Sequence, residues 1–146
     1  MLKPNTPRTK QQLCVLLTPK QIAKSASSSM FLLYAKNHTS LGNLSKGKGT
    51  ADDGHTLSCA YAIAQAFREI GLGIDLADEL DAAQAALSTL RERAAASGSF
   101  ALEASELTSL NLGMEVCDAQ LDVCTVAELE QAVDAAVINM IGEIAK

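Results

Sequence analysis

The chain has no tryptophan, and its aromatic residues make up 3% of 146 positions: Phe31, Tyr34, Tyr61, Phe67 and Phe100. So sparse a set excludes stacking platforms for single-stranded nucleic acid or carbohydrate. No stretch approaches the roughly eighteen uninterrupted apolar residues of a membrane span, so no membrane partner is expected. The first eight residues lack the apolar run of a signal peptide, which makes the cytoplasm the expected compartment. Cys14, Cys59, Cys117 and Cys124 form no CxxC pair. In a reducing compartment they read as small buried apolar residues rather than disulfides. Acid is missing from residues 1–50, where eight Lys and Arg give a formal +8. The other 96 residues hold four basic residues against all 17 acids, a formal −13, which together recover the net −5. Such a basic segment neutralises the acidic body of its own chain or of a neighbour without needing any further ligand.

What is present is aliphatic: apolar residues are 48% of the chain, with alanine prominent, and alanine favours helix and close helix approach. Leu76, Leu80, Ala83, Leu87, Leu90 and Ala94 recur at alternating spacings of four and three, one stripe of an α-helix. Leu107, Leu110, Met114, Cys117, Leu121 and Cys124 repeat the rule. Joined by a short link around Gly98, the two stripes predict an antiparallel pair at the centre of the fold, with Leu87 and Leu110 between the helices. Ala83 and Gly113 mark the expected point of closest approach.

Taken in order, residues 1–12 read as a basic flexible arm, and residues 13–146 as one α-helical bundle domain. Thr18-Pro19 starts a helix through Ile22, Ala26, Met30 and Leu33 to about Lys36. Asn37 to Gly54, with Gly42, Gly47, Gly49 and Gly54 among polar residues, reads as a loop. Asp53 or Thr56 then caps a helix through Leu57, Ala60, Ile63, Ala64, Phe67 and Ile70 that stops at Gly71. Asp75 caps the Leu76 helix, and Phe100-Ala101-Leu102 forms an extended plug over the bundle end. Ser105 caps the next helix, unless Glu103 begins it earlier. Thr125-Val126-Ala127-Glu128 is a capping box opening the last helix, with Val126, Leu129, Val133, Val137, Met140 and Ile144 as its buried stripe. The expected fold is an all-α, compact bundle of four to five helices with a Gly/Lys-rich loop and a basic N-terminal arm.

Chemistry is hard to find in this pattern. Gly42 through Lys48 fits GxxxxGK, a phosphate-binding P-loop, but Gly49 stands where a magnesium-binding hydroxyl is needed and no parallel sheet surrounds it. The candidate that survives is looser: Lys46, Gly47, Lys48, Gly49 and Thr50 as an anion- or partner-binding loop. His55 and Cys59 share a helical face, but Cys117 and Cys124 are seven apart, about ten ångström along an axis, which is awkward for one zinc ion. No metal and no cofactor is expected. GxSxG, HExxH and paired-carboxylate signatures are lacking, so no enzymatic activity is expected. The final helix is apolar on more than one side at Val137, Ile138 and Ile141, which makes these the candidate self-association residues of a homo-oligomer.

The stretch from Gly47 into the helix near Leu57, with Leu107-Thr108-Ser109-Leu110-Asn111 and Asp118-Ala119-Gln120-Leu121, resembles a group of small uncharacterised helical proteins of bacteriophages and prophages of proteobacteria. The resemblance covers about residues 45–135 and carries over no catalytic residue. It implies a phage or mobile-element protein that binds and modulates a host or defence protein. Nucleic-acid binding through the basic N-terminal region, and phosphate or nucleotide binding through Lys46 to Thr50, are the alternatives.

Overall fold

The computed structural model describes the backbone of residues 19–144 and the side chains of residues 30–142, so the expected arm at 1–12 lies outside the described residues. Five α-helices follow one another: α1 (Pro19–Ser45), α2 (Ala51–Glu69), α3 (Ala77–Ser97), α4 (Ala104–Val123) and α5 (Val126–Ile144). A single 3-10 turn, Ile74–Leu76, precedes α3. No strand occurs among the described residues.

The two sequence stripes meet as expected. Leu80, Ala83, Leu87, Leu90 and Ala94 of α3 and Leu110, Met114, Cys117 and Leu121 of α4 are all buried. The two helices share the most extensive contact of any pair. Near the link, Arg93 of α3 meets Glu106 of α4, and ten residues earlier in α3 Ala83 meets Gly113, which fixes the antiparallel sense. A Cβ at Gly113 would collide with the Ala83 methyl and lie 3.0 Å from the Tyr61 ring, so the close approach depends on glycine. The Arg93 guanidinium clasps Glu106 through Nη2–Oε1 at 2.6 Å and Nη1–Oε2 at 3.0 Å and also donates to Ala101 O at 2.8 Å. Phe100 and Leu102 plug the end of this core as expected.

The hub of the bundle, however, is α2. It alone has extended contact with each of the other four helices. Leu57, Ala60, Tyr61 and Ala64 belong to the α3–α4 core, and Ala66 and Phe67 to a second cluster with Leu121, Cys124, Leu129 and Ala132. Tyr61 Oη donates to Leu110 O at 2.8 Å across that core. Burial holds the Tyr61 phenol well above its ordinary range, so it acts as a fixed donor.

Three expectations need correction. The first helix does not end near Lys36, because α1 runs on to Ser45 and reduces the expected Asn37–Gly54 loop to a turn over residues 46–50. Asn37 and Ser40 have weak helix propensity, but they sit buried between Leu33 and Leu44 and extend one packed stripe, so tertiary burial overrides propensity. The cap of α2 is Thr50 rather than Asp53 or Thr56, and Asp53 is the third helical residue reaching back to it. Asp75 lies inside the 3-10 turn and Leu76 takes the N-cap position of α3. At α4 the cap is Glu103, with Glu106 completing the box through Glu103 N–H to Oε1 at 2.8 Å. The Thr125–Glu128 box forms as expected, at 2.8 and 3.1 Å.

The stripe of α5 forms as expected at Leu129 and Val133, which pack in the second cluster, and is corrected at Val137, which is exposed while Ala132 and Ala136 are buried; the Ile144 side chain lies outside the described residues. Alanine faces α2 because they let α5 settle closely beside Ala66, and that rotates the bulkier Val137 out of the contact.

Candidate functional site

The Lys46–Thr50 segment is a tight turn in which the amides of Lys46, Gly47, Lys48 and Thr50 bond within the chain. Lys46 N–H donates to Gly42 O at 3.1 Å, Gly47 N–H to Leu44 O at 3.2 Å and Lys48 N–H to Asn43 O at 2.9 Å. Gly47 has φ +73°, and a Cβ at Gly49 would collide with the Leu44 side chain, so both glycines serve the turn itself. Thr50 N–H donates to Asp53 Oδ2 at 3.0 Å, and Asn43 Nδ2 donates to Asp53 Oδ1 at 3.3 Å. Burial raises the Asp53 carboxyl, but the bonds from the Thr50 amide and from Asn43, Ser40 and Thr50 side chains outweigh it and hold the group below the ordinary carboxylate range. A carboxylate therefore already occupies the start of α2, where an external anion would meet repulsion. What the turn presents outward is the exposed pair Lys46 and Lys48.

The four residues considered for zinc do not come together. His55 and Cys59 face each other along α2, with Sγ and Nε2 3.6 Å apart. Cys117 is buried in the α3–α4 core beside Ala60 O, and burial pushes its thiol up to about 12. Cys124 is buried in the second cluster. Among the described residues no group of three or more His, Cys, Asp or Glu side chains is placed to hold a metal ion.

One polar cluster has no counterpart in the sequence reading. His38 of α1 lies against Asp118 of α4, its Nε2 at 2.8 Å from Oδ2 and 3.0 Å from Oδ1, and the Tyr34 ring stacks on the imidazole at 4.2 Å between centroids. Half-burial pushes the Asp118 carboxyl up, with Asp122 and Glu115 adding to the rise and the bond to His38 opposing it. The pair pins α1 to α4. The partners are eighty residues apart, and a single histidine on a polar helical face gives no sequence signal of its partner.

Beyond this pair, large apolar side chains stand in water singly at Ile74, Leu112 and Val123 and in groups on α1 and α5. On α1, Phe31 is 66% exposed and Leu32 67%, with Tyr34 beside them. On α5, Val137, Ile138 and Ile141 are 49%, 68% and 60% exposed. Next to them an open groove of about 1080 Å³ separates the second half of α5 from α3, with α2 as its floor. Tyr61, Ala62 and Leu87 line its depth, and Arg91, Ile138 and Met140 its walls. No helix of the described residues is long and apolar enough to cross a membrane, so these faces do not form a span.

A scan against protein-family models, a search of curated proteins and a search of solved structures each returned no match, so the reading of function rests on the surface just described.

Proposed function

We propose that the chain is a non-enzymatic interaction protein that binds and modulates another macromolecule, a host or defence protein in the phage or mobile-element setting that the sequence resemblance implies. One observation carries this reading: six large apolar side chains, three on α1 and three on α5, are exposed in adjacent positions on their helices. Contiguous apolar surface on a soluble domain is costly unless a partner covers it. The described polar groups support the same reading from the other side. Asp53 and Glu106 are engaged in caps and clasps, and His38 with Asp118 joins two helices, so each is committed to holding the bundle.

The test is affinity capture from the native host with the full chain, on nuclease-treated and untreated samples. A protein retained by wild type in both samples, and lost on Phe31→Asp, supports the proposal. Retention that disappears on nuclease treatment favours the nucleic-acid alternative. Turnover of a nucleotide, ester or peptide by the pure protein, abolished by one substitution, contradicts a non-enzymatic role.

A further inference from the structure

α5 carries a ridge and a socket on adjacent faces. The ridge is Val137, Ile138 and Ile141, with Asp134 one turn before Ile138. The socket is the groove between α5 and α3, walled on the α3 side by Arg91 and on the α5 side by Ile138 and Met140. A knob beside a hole on one surface is self-complementary under a two-fold axis, because each copy's knob then enters the other's hole.

Charge points to the same occupant. From Val126 to Gly142, α5 has Glu128, Glu130 and Asp134 and no basic residue. Arg91 shares the α3 wall of the groove with Glu92, donates to Ser58 Oγ at 2.7 Å and forms no ion pair among the described residues. A second copy brings an acid to that guanidinium and an apolar knob to the groove together. The ridge and the groove run along α5 from Asp134 to Gly142, about 12 Å of helix axis, so the contact is compact and centred on Ile138 and Ile141.

We propose that the exposed face of α5 is covered by a second copy of this chain. The two α5 helices lie antiparallel across a two-fold axis, Ile138 and Ile141 enter the partner's groove, and Asp134 pairs with Arg91 of the partner subunit. This rests on the reading of the apolar faces as interaction surface and assigns one of them, leaving the Phe31 face for a different macromolecule.

The experiment measures the mass of the full chain by sedimentation across the micromolar range, with far-UV circular dichroism and thermal melting on every variant. Wild type is expected to be a dimer. Ile138→Asp and Ile141→Asp are expected to be monomers with unchanged helicity, since both side chains lie on the surface. Asp134→Arg and Arg91→Glu should each weaken the dimer about ten-fold or more, and the two together should restore it to within a few-fold of wild type. Phe31→Asp should leave the dimer intact. A wild-type monomer at every concentration overturns the proposal, as does a dimer that survives Ile138→Asp or is broken by Phe31→Asp. A double charge swap without restoration overturns the Asp134–Arg91 pairing. A monomer that still captures a protein through the Phe31 face would sink the dimer alone, and a dimer that captures nothing would sink only the proposed function.

Discussion

α4 and α5 are nearly equal in length, 20 and 19 residues, and both are written in small and aliphatic residues at spacings of three and four. Their situations are opposite. α4 has neighbours on three sides, α1, α2 and α3, and buries Leu110, Met114, Val116, Cys117 and Leu121. α5 has extended contact with α2 alone, buries Leu129, Ala132 and Ala136, and leaves Val137, Ile138 and Ile141 in water. Periodicity states that a helix has an apolar stripe. How many neighbours that helix has depends on where the chain places the others, and the surplus apolar surface of a helix with one neighbour is what becomes available for binding.

The comparison predicts unequal responses to truncation. Leu110→Ala should cost about 2 to 5 kcal/mol in denaturant unfolding, because its site between three helices cannot collapse. Ile138→Ala, on the exposed ridge, should change the stability of the monomer by less than about 0.5 kcal/mol. Equal losses would mean that α5 is as deeply held as α4.

Glycine substitution sharpens the same contrast. Gly113→Leu must push α3 away from α4 at the Ala83 contact and should destabilise by about 1 to 3 kcal/mol or more. Gly142, near the end of α5, has nothing within 4 Å of where a Cβ would stand. Gly142→Ala should therefore stabilise by about 0.5 to 1 kcal/mol through helix propensity alone. A tolerated Gly113→Leu would contradict the close approach.

A smaller effect appears with pH, and its sign differs among the carboxyls. The bonds from Arg93 lower Glu106, against the opposing effect of burial, and Asp53 is also held below the ordinary range. A depressed carboxyl contributes stability that is full above its unfolded value of about 4 and is lost as pH falls through the lower folded value. Asp118 is raised, so the fold gains from its protonation as pH falls through that value. Unfolding followed from about pH 6 downward should therefore show stability declining below about pH 4. Glu106→Gln should flatten that decline, and an unchanged acid limb would contradict the clasp.

Much of this was legible in the sequence, for identifiable reasons. The α3 and α4 stripes, the plug at Phe100 and Leu102 and the Thr125–Glu128 box rest on local spacing and capping chemistry, which a chain displays without reference to its fold. The second half of α1 was hidden because Asn37 and Ser40 interrupt the apolar pattern while being buried themselves. The rotation of α5 is not legible because Val137 looks a better core residue than Ala136, and only the closeness of α2 makes alanine the preferred neighbour. Ile138 and Ile141 are legible as surplus apolar residues outside the stripe of the last helix, and both are exposed. The groove beside them needs three helices in place and has no one-dimensional sign. The same holds for His38 and Asp118, whose meeting depends on α1 and α4 being packed.

The most direct test of α5 as a helix held on one side is amide hydrogen exchange of the full chain, read by mass spectrometry at two concentrations. Amides within residues 80–94 and 107–121 should exchange last at either concentration. Those of residues 134–142 should exchange earlier when the protein is dilute and slow markedly when it is concentrated enough for a second copy to cover them. Protection of residues 134–142 equal to that of α4 in dilute solution, and indifferent to concentration, would contradict the account.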